Sequence, residues 1–136
     1  MGKTRIEEAF AAGELAELAF EFAPIGLVVT ENRVIRECNA SFARMFGYER
    51  EELCDQSFEK LYPTHQEFAR IRDCGVEALR ETNSYWDERV MARADGSLFW
   101  CRVRGHSLTR DNPLGRAVWS FADLSEHRPY HPLTQC

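Results

Sequence analysis

The feature that most constrains this chain is Ala94-Asp95-Gly96-Ser97, a turn signal set between two strand-like runs. Asp-Gly in that setting predicts a two-residue hairpin of type I′, whose central residues both take φ > 0. The run that follows sends Phe99, Cys101 and Val103 to one face and Trp100, Arg102 and Arg104 to the other. A second cluster of turn residues, Asp111-Asn112-Pro113-Leu114-Gly115, leads into Ala117–Ala122. That last run is apolar and uncharged, as in a strand buried within a sheet. Val90 to Asp123 therefore reads as three antiparallel strands. Such a ribbon needs further strands and a helical cover.

The rest of the chain supplies both. Thr4-Arg5-Ile6-Glu7 fits a capping box at a helix start, and Gly13 is a possible break. Beyond it Leu15, Leu18, Ala19 and Phe22 recur at helical spacing opposite Glu14, Glu17 and Glu21, and Pro24 ends the helix. Its apolar face has two candidate covers: the outer face of the sheet, or the same helix of a second copy. Gly26–Thr30 and Val34–Glu37 read as two strands joined by Glu31-Asn32-Arg33. Asn39 caps a helix carrying Phe42, Met45 and Phe46, which Gly47 ends. Glu49–Leu53 is one or two helical turns, and Phe58–Pro63 is expected to be irregular. Thr64 caps a longer helix to about Arg80, with Phe68, Ile71, Cys74, Gly75, Ala78 and Leu79 facing inward. Two strands, several helices, then three strands predict an α+β fold. It has a five-stranded antiparallel sheet, helices on one face and an amphipathic N-terminal helix.

Composition narrows the function. A net charge of −5 offers no basic surface for a phosphate backbone, so this segment is not expected to bind nucleic acid. No apolar run approaches the roughly 20 residues of a membrane helix. Cys38, Cys54, Cys74, Cys101 and Cys136 are odd in number and form no C-x-x-C, which fits reduced thiols in a cytoplasm. His127 and His131 stand four apart with Cys136 near, but Pro129 and Pro132 argue against a shared helix. Without a third ligand at fitting spacing, no metal site is expected. No G-x-S-x-G, P-loop or H-E-x-x-H occurs, so the chain does not read as an enzyme.

Four pieces, in order, resemble a PAS domain from about Phe20 to Arg128. The first is Phe22-Ala23-Pro24-Ile25-Gly26. The second is Asn39-Ala40-Ser41-Phe42 through Phe46-Gly47-Tyr48, followed by Glu51-Glu52-Leu53. The third is the hairpin Arg93-Ala94-Asp95-Gly96-Ser97-Leu98-Phe99-Trp100, and the fourth the exit Asp123-Leu124-Ser125-Glu126-His127-Arg128. Asp55 stands where that family usually has Gly, and Asp tolerates the left-handed conformation a turn there needs. The resemblance divides the chain into a helical extension (1–19), the PAS domain (20–128) and a linker (129–136) to a C-terminal output domain.

It also implies a site. By the family's strand order, Val28, Thr30, Met91, Phe99, Cys101, Val103, Trp119 and Phe121 face inward. With Phe42, Phe46, Phe58, Cys74 and Ala78 from the helices, they surround the place where PAS domains hold a ligand. A packed core is the competing reading of the same residues. The lining suits a small, mostly apolar molecule. Phe58 falls where blue-light-sensing members carry the flavin-reactive cysteine, and Met91 and Cys101 replace the asparagines that would hold the ring, so no flavin is expected. The haem-ligating histidine would fall near Cys74, a thiol read as packing, so no haem is expected either.

The family's exit motif implies that Asp123 and Ser125 relay the signal, with Arg128 or Arg102 as partner of Asp123. A homodimer is expected through Leu15, Leu18 and Phe22. The function implied is sensory: a small molecule or partner chain is detected and the event passed to an output domain. Leu133-Thr134 resembles the opening of a LuxR-type helix-turn-helix. A histidine kinase or diguanylate cyclase output is the alternative, as is a small enzyme or carrier acting alone.

Overall fold

The computed structural model describes residues 13–132. The capping box at Thr4, the Leu133-Thr134 pair and Cys136 lie outside the described residues. Helix α1 (Glu14–Glu21) leads into β1 (Gly26–Glu31) and β2 (Val34–Cys38). Helices α2 (Ala40–Phe46) and α3 (Arg50–Leu53), a 3-10 turn (Phe58–Leu61) and the long α4 (His65–Thr82) follow. Strands β3 (Ser84–Ala92), β4 (Leu98–Ser107) and β5 (Ala117–Asp123) complete one antiparallel sheet in the order β2-β1-β5-β4-β3. The expected α+β architecture is present, with both edges of the sheet formed by strands that precede or follow the helical segment.

Local chemistry accounts for the element ends. Asn39 accepts from Phe42 N at the start of α2, and Gly47 closes that helix at φ 80. Thr64 accepts from Glu67 N at the start of α4. The helix closes at Asn83, φ 65, a conformation whose Cβ strain Asn tolerates better than most residues. Asp55 also takes the left-handed conformation, φ 66, and its carboxylate receives Arg36 Nη1 at 2.6 Å.

Three expectations need correction. The Asp95-Gly96 hairpin is not a type I′ turn. Among its residues only Gly96 has positive φ (86°), Gly96 N donates to Arg93 O at 2.9 Å, and Arg93 N donates to Ser97 O at 2.9 Å. Asp95 decides this by accepting from Ser97 N and Oγ, which a three-residue loop permits. The turn with two left-handed residues is instead Asn32 (φ 51) and Arg33 (φ 64), between β1 and β2. Second, Phe58–Leu61 is ordered as a 3-10 turn, with Ser57 Oγ accepting from Glu59 N.

Third, Cys74 is exposed and Ala78 only half-buried. The inward stripe of α4 is Ile71, Gly75 and Leu79, spaced by four. At roughly 100° per residue, Cys74 and Ala78 fall on the shoulder of that stripe. Ala78 lines an open groove with Tyr85 and Gly105, outside the core.

Candidate functional site

Inner-face parity along the strands builds the core. Val28, Thr30, Met91, Phe99, Cys101, Val103, Trp119 and Phe121 are all buried, and Phe42, Phe46 and Phe58 join them from the helical side. The rings interlock. Phe42 lies 5.0 Å from Phe46 and 5.2 Å from Phe121, and Phe58 meets both Trp119 and Phe121 at 5.9 Å. Trp119 Nε1 donates to Thr30 Oγ1 at 2.8 Å, satisfying two polar groups inside an apolar layer. Burial pushes the Cys101 thiol up to about 12, so it is an inert core thiol. Cys38, buried in the same core, is raised to about 11 for the same first reason.

Next to these rings the core turns polar. Arg33 and Arg89 are 6% and 7% exposed, a degree of burial unusual for arginine. Arg33 donates to Phe68 O at 2.8 Å and to the Tyr62 hydroxyl at 3.2 Å. Arg89 donates to Asp87 Oδ1 at 2.9 Å and to the same Tyr62 hydroxyl. Asp87 Oδ2 in turn receives the Tyr85 hydroxyl at 2.6 Å. Burial, and then the neighbouring Arg89, hold Arg33 below its ordinary pKa. Burial also raises the Tyr85 phenol, helped by its bond to Asp87. Arg33, Tyr62, Gly75 and Arg89 line a cavity of about 10 Å³ with Phe58, Val103, Trp119 and Phe121. Sequence reasoning missed this cluster, although period-two alternation back from Met91 points Arg89, Asp87 and Tyr85 to the same face.

At the chain's exit from the sheet, Asp123 is paired with Arg93 at 2.9 Å. The two partners expected for it, Arg102 and Arg128, both pair with Glu88, at 3.0 and 2.9 Å. Arg93 comes from the hairpin turn that neighbours this corner, and so reaches Asp123 first. It also donates to Ser125 Oγ and to the Met45 carbonyl, and lies 3.8 Å over the Phe99 ring. Ser125 N and Oγ both donate to Asp123 Oδ1. Burial by itself would raise the Asp123 carboxyl, but the bonds from Ser125 and Arg93 outweigh it and hold it below the usual value. Beyond this corner Arg128 lies 3.3 Å over the Trp100 ring. The expected dimer helix is pinned at its C-terminal end by Arg50–Glu21 and by Asn39 Nδ2 to Phe20 O, yet none of its residues is buried. Leu18 is half-buried, while Leu15 (38%) and Phe22 (74%) face solvent.

No group of three or more histidine, cysteine or acidic side chains able to hold a metal occurs among the described residues. None of their helices is long and apolar enough to cross a membrane. A single antiparallel sheet covered by helices on one face, with its aromatic core between them, places the chain in the class of two-layer α+β domains. The family model described as "PAS fold" matches residues 17–121, and the chain belongs to the PAS family. It is 36% identical over 112 residues to the sensor protein TdiS of Thauera aromatica, which covers 82% of this chain. The chain spans about a fifth of the length of that curated relative. Among solved structures it is similar to the PAS domain, in complex with ethanol, of a LuxR-family transcriptional regulator from Burkholderia thailandensis. The identity is 47% and the TM-score 0.78, over 80% of this chain and 96% of that one. A PAS domain from Colwellia psychrerythraea shares the fold at 18% identity and TM-score 0.73, over 86% of this chain and all of that one.

Proposed function

We propose that this PAS domain holds a small, largely apolar molecule in its core and relays its presence through the Arg93–Asp123 junction to an output domain. The observation that carries the reading is the placement of Arg93. One side chain touches the core ring of Phe99, the backbone of α2 at Met45, and both Asp123 and Ser125 at the exit. A shift of the core aromatics on binding is thereby felt where the chain leaves the sheet. A ligand switches such a junction only through unequal affinity for its two states.

The output most in keeping with the similarities is a LuxR-type transcription regulator, since the 47%-identical neighbour belongs to such a protein. A histidine kinase is the second reading, since the 36%-identical relative TdiS is a sensor protein and does not point to a transcription regulator. Asp123→Ala is expected to leave the fold intact, because an ion pair at this partly exposed site contributes only about 0–1 kcal/mol. It should uncouple the output. Reporter or kinase activity of the full-length protein, with and without ligand, tests this. A variant that responds like the parent would show that the signal leaves by another route.

The domain works without flavin or haem. In support, Phe58 fills its position with an aromatic ring packed on Trp119, and Cys74 is turned to solvent, away from the core. Visible absorbance in the purified protein would overturn this. The working compartment is a reducing cytoplasm, in keeping with the free thiols Cys38, Cys54, Cys74 and Cys101.

The domain acts as a homodimer in which Leu15 and Leu18 of α1, with Phe22 at its C-cap, meet a second copy. Exposed apolar side chains grouped like Leu15 and Phe22 mark an interface. Leu18→Glu combined with Phe22→Glu should give a folded monomer by light scattering. A variant that stays dimeric would place the interface elsewhere.

A further inference from the structure

The inner face holds a positive charge that packing does not explain. Of the two buried guanidiniums only Arg89 binds a carboxylate, Asp87, whose other oxygen is engaged by the Tyr85 hydroxyl, while Arg33 lies 3.7 Å over the Phe68 ring. Both guanidiniums lean on the neutral hydroxyl of Tyr62. The Nη2 of Arg89 is buried and has no hydrogen-bond partner among the described residues. A buried, unmatched donor on a charged group opposes folding, and apolar residues of like volume commonly serve stability as well or better.

A second observation comes from α4. Gly75 is buried in the middle of that helix, where alanine would favour the helical state, yet a Cβ built on Gly75 meets no atom within 4 Å. The free space lies at the same cavity that Arg33, Tyr62 and Arg89 line.

We propose that this cavity is the polar end of the ligand site and takes the carboxylate of a small organic acid. The acid's apolar remainder lies against Phe58 and Trp119. This rests on the core-ligand reading above and names its chemical class. At about 10 Å³ the space admits one carboxylate oxygen, and the rest of the acid enters only as the Phe58 and Trp119 rings draw apart, the shift of core aromatics proposed above. A carboxylate enters by displacing the Tyr62 hydroxyl from one guanidinium. The exchange replaces a neutral acceptor with an anionic one and supplies Arg89 Nη2 with its missing partner, giving the stronger, charge-assisted bond.

The test is thermal unfolding of the 136-residue chain with sodium acetate, propionate or benzoate, against ethanol, 1-propanol and benzyl alcohol, and against sodium chloride at equal ionic strength. The acids should stabilise the protein with apparent affinities about tenfold or more above the matching alcohols, and chloride should not. Gly75→Leu, which fills the space, and Arg89→Met, which removes the charge and keeps bulk, should each abolish the acid effect. Alcohols acting as strongly as acids would overturn the carboxylate assignment and leave the core-ligand reading standing. Chloride acting like the acids would reduce the site to a simple anion site. Acid stabilisation that survives both variants would place the acid elsewhere on the protein. If neither acids nor alcohols bind, the core-ligand reading falls as well.

Discussion

Trp119→Ala is expected to cost about 3–5 kcal/mol, the range for emptying a core of a large aromatic side chain. The ring is 6% exposed and lies edge-on to Phe58 at 5.9 Å. Its indole N–H occupies the Thr30 hydroxyl, which is itself 1% exposed and would lose that partner. The ring also explains a glycine in the middle of β4. A Cβ on Gly105 would stand 2.3 Å from Trp119 Cε3 and Cζ3, so no larger residue fits unless the indole moves. Gly105→Ala should therefore destabilise through the same contact, by overpacking, at about 1–3 kcal/mol. Urea unfolding reads both as a lower midpoint at unchanged slope. A Trp119→Ala loss below about 1 kcal/mol would mean that the core closes over the gap and the indole does not define its volume.

Asn39→Ala should be nearly as damaging, at about 3 kcal/mol or more, although it removes few atoms. Asn39 is fully buried, and its amide meets four backbone groups. Oδ1 accepts from Leu27 N and Phe42 N, both at 2.9 Å. Nδ2 donates to Phe20 O at 2.8 Å and Ile25 O at 3.0 Å. One side chain thus caps α2 and ties it to the end of α1 and the start of β1. Alanine would leave two N–H and two carbonyl groups to find water at a partly buried corner. Asn39→Asp is the informative companion, since it keeps the acceptor and loses both donations. Stability midway between parent and alanine would apportion the two halves. If Asn39→Ala costs under about 1 kcal/mol, solvent replaces these bonds and the residue is only a helix cap.

Much of the fold was legible because strand and helix periods are local properties of the chain. Alternation through Phe99, Cys101 and Val103 divided β4 into two faces, and the resemblance to the family's strand order then put Trp119 and Phe121 on the inner face, where they are. Caps at Asn39, Gly47 and Thr64 were readable for the same reason, each being satisfied within a few residues. The turn at Asp95-Gly96 shows where local reading stops. Its position was plain, but its type was settled by the bond that Ser97 N donates to the Asp95 carboxylate and by the pairing of Arg93 with Ser97.

The sequence by itself determined the order and spacing of strands and helices, and the two faces of β4, since both follow from period and turn chemistry. Only the tertiary structure decided what those faces enclose. Helical spacing alone could not choose between Gly75 and its neighbour Cys74 as the inward residue of α4, because both sit near one stripe; packing on the sheet turned Gly75 in and Cys74 out. The partner of Asp123 became Arg93, 30 residues away, because the β3–β4 turn folds against the end of β5. Arg33, read along the chain as a turn residue, and Arg89, given no role there, meet over Tyr62 although β1–β2 and β3 lie toward opposite edges of one sheet. Charge in a sequence signals solvent by default. Burial of these two arginines is a long-range outcome, since it depends on acceptors that the chain brings from 27 to 35 residues away.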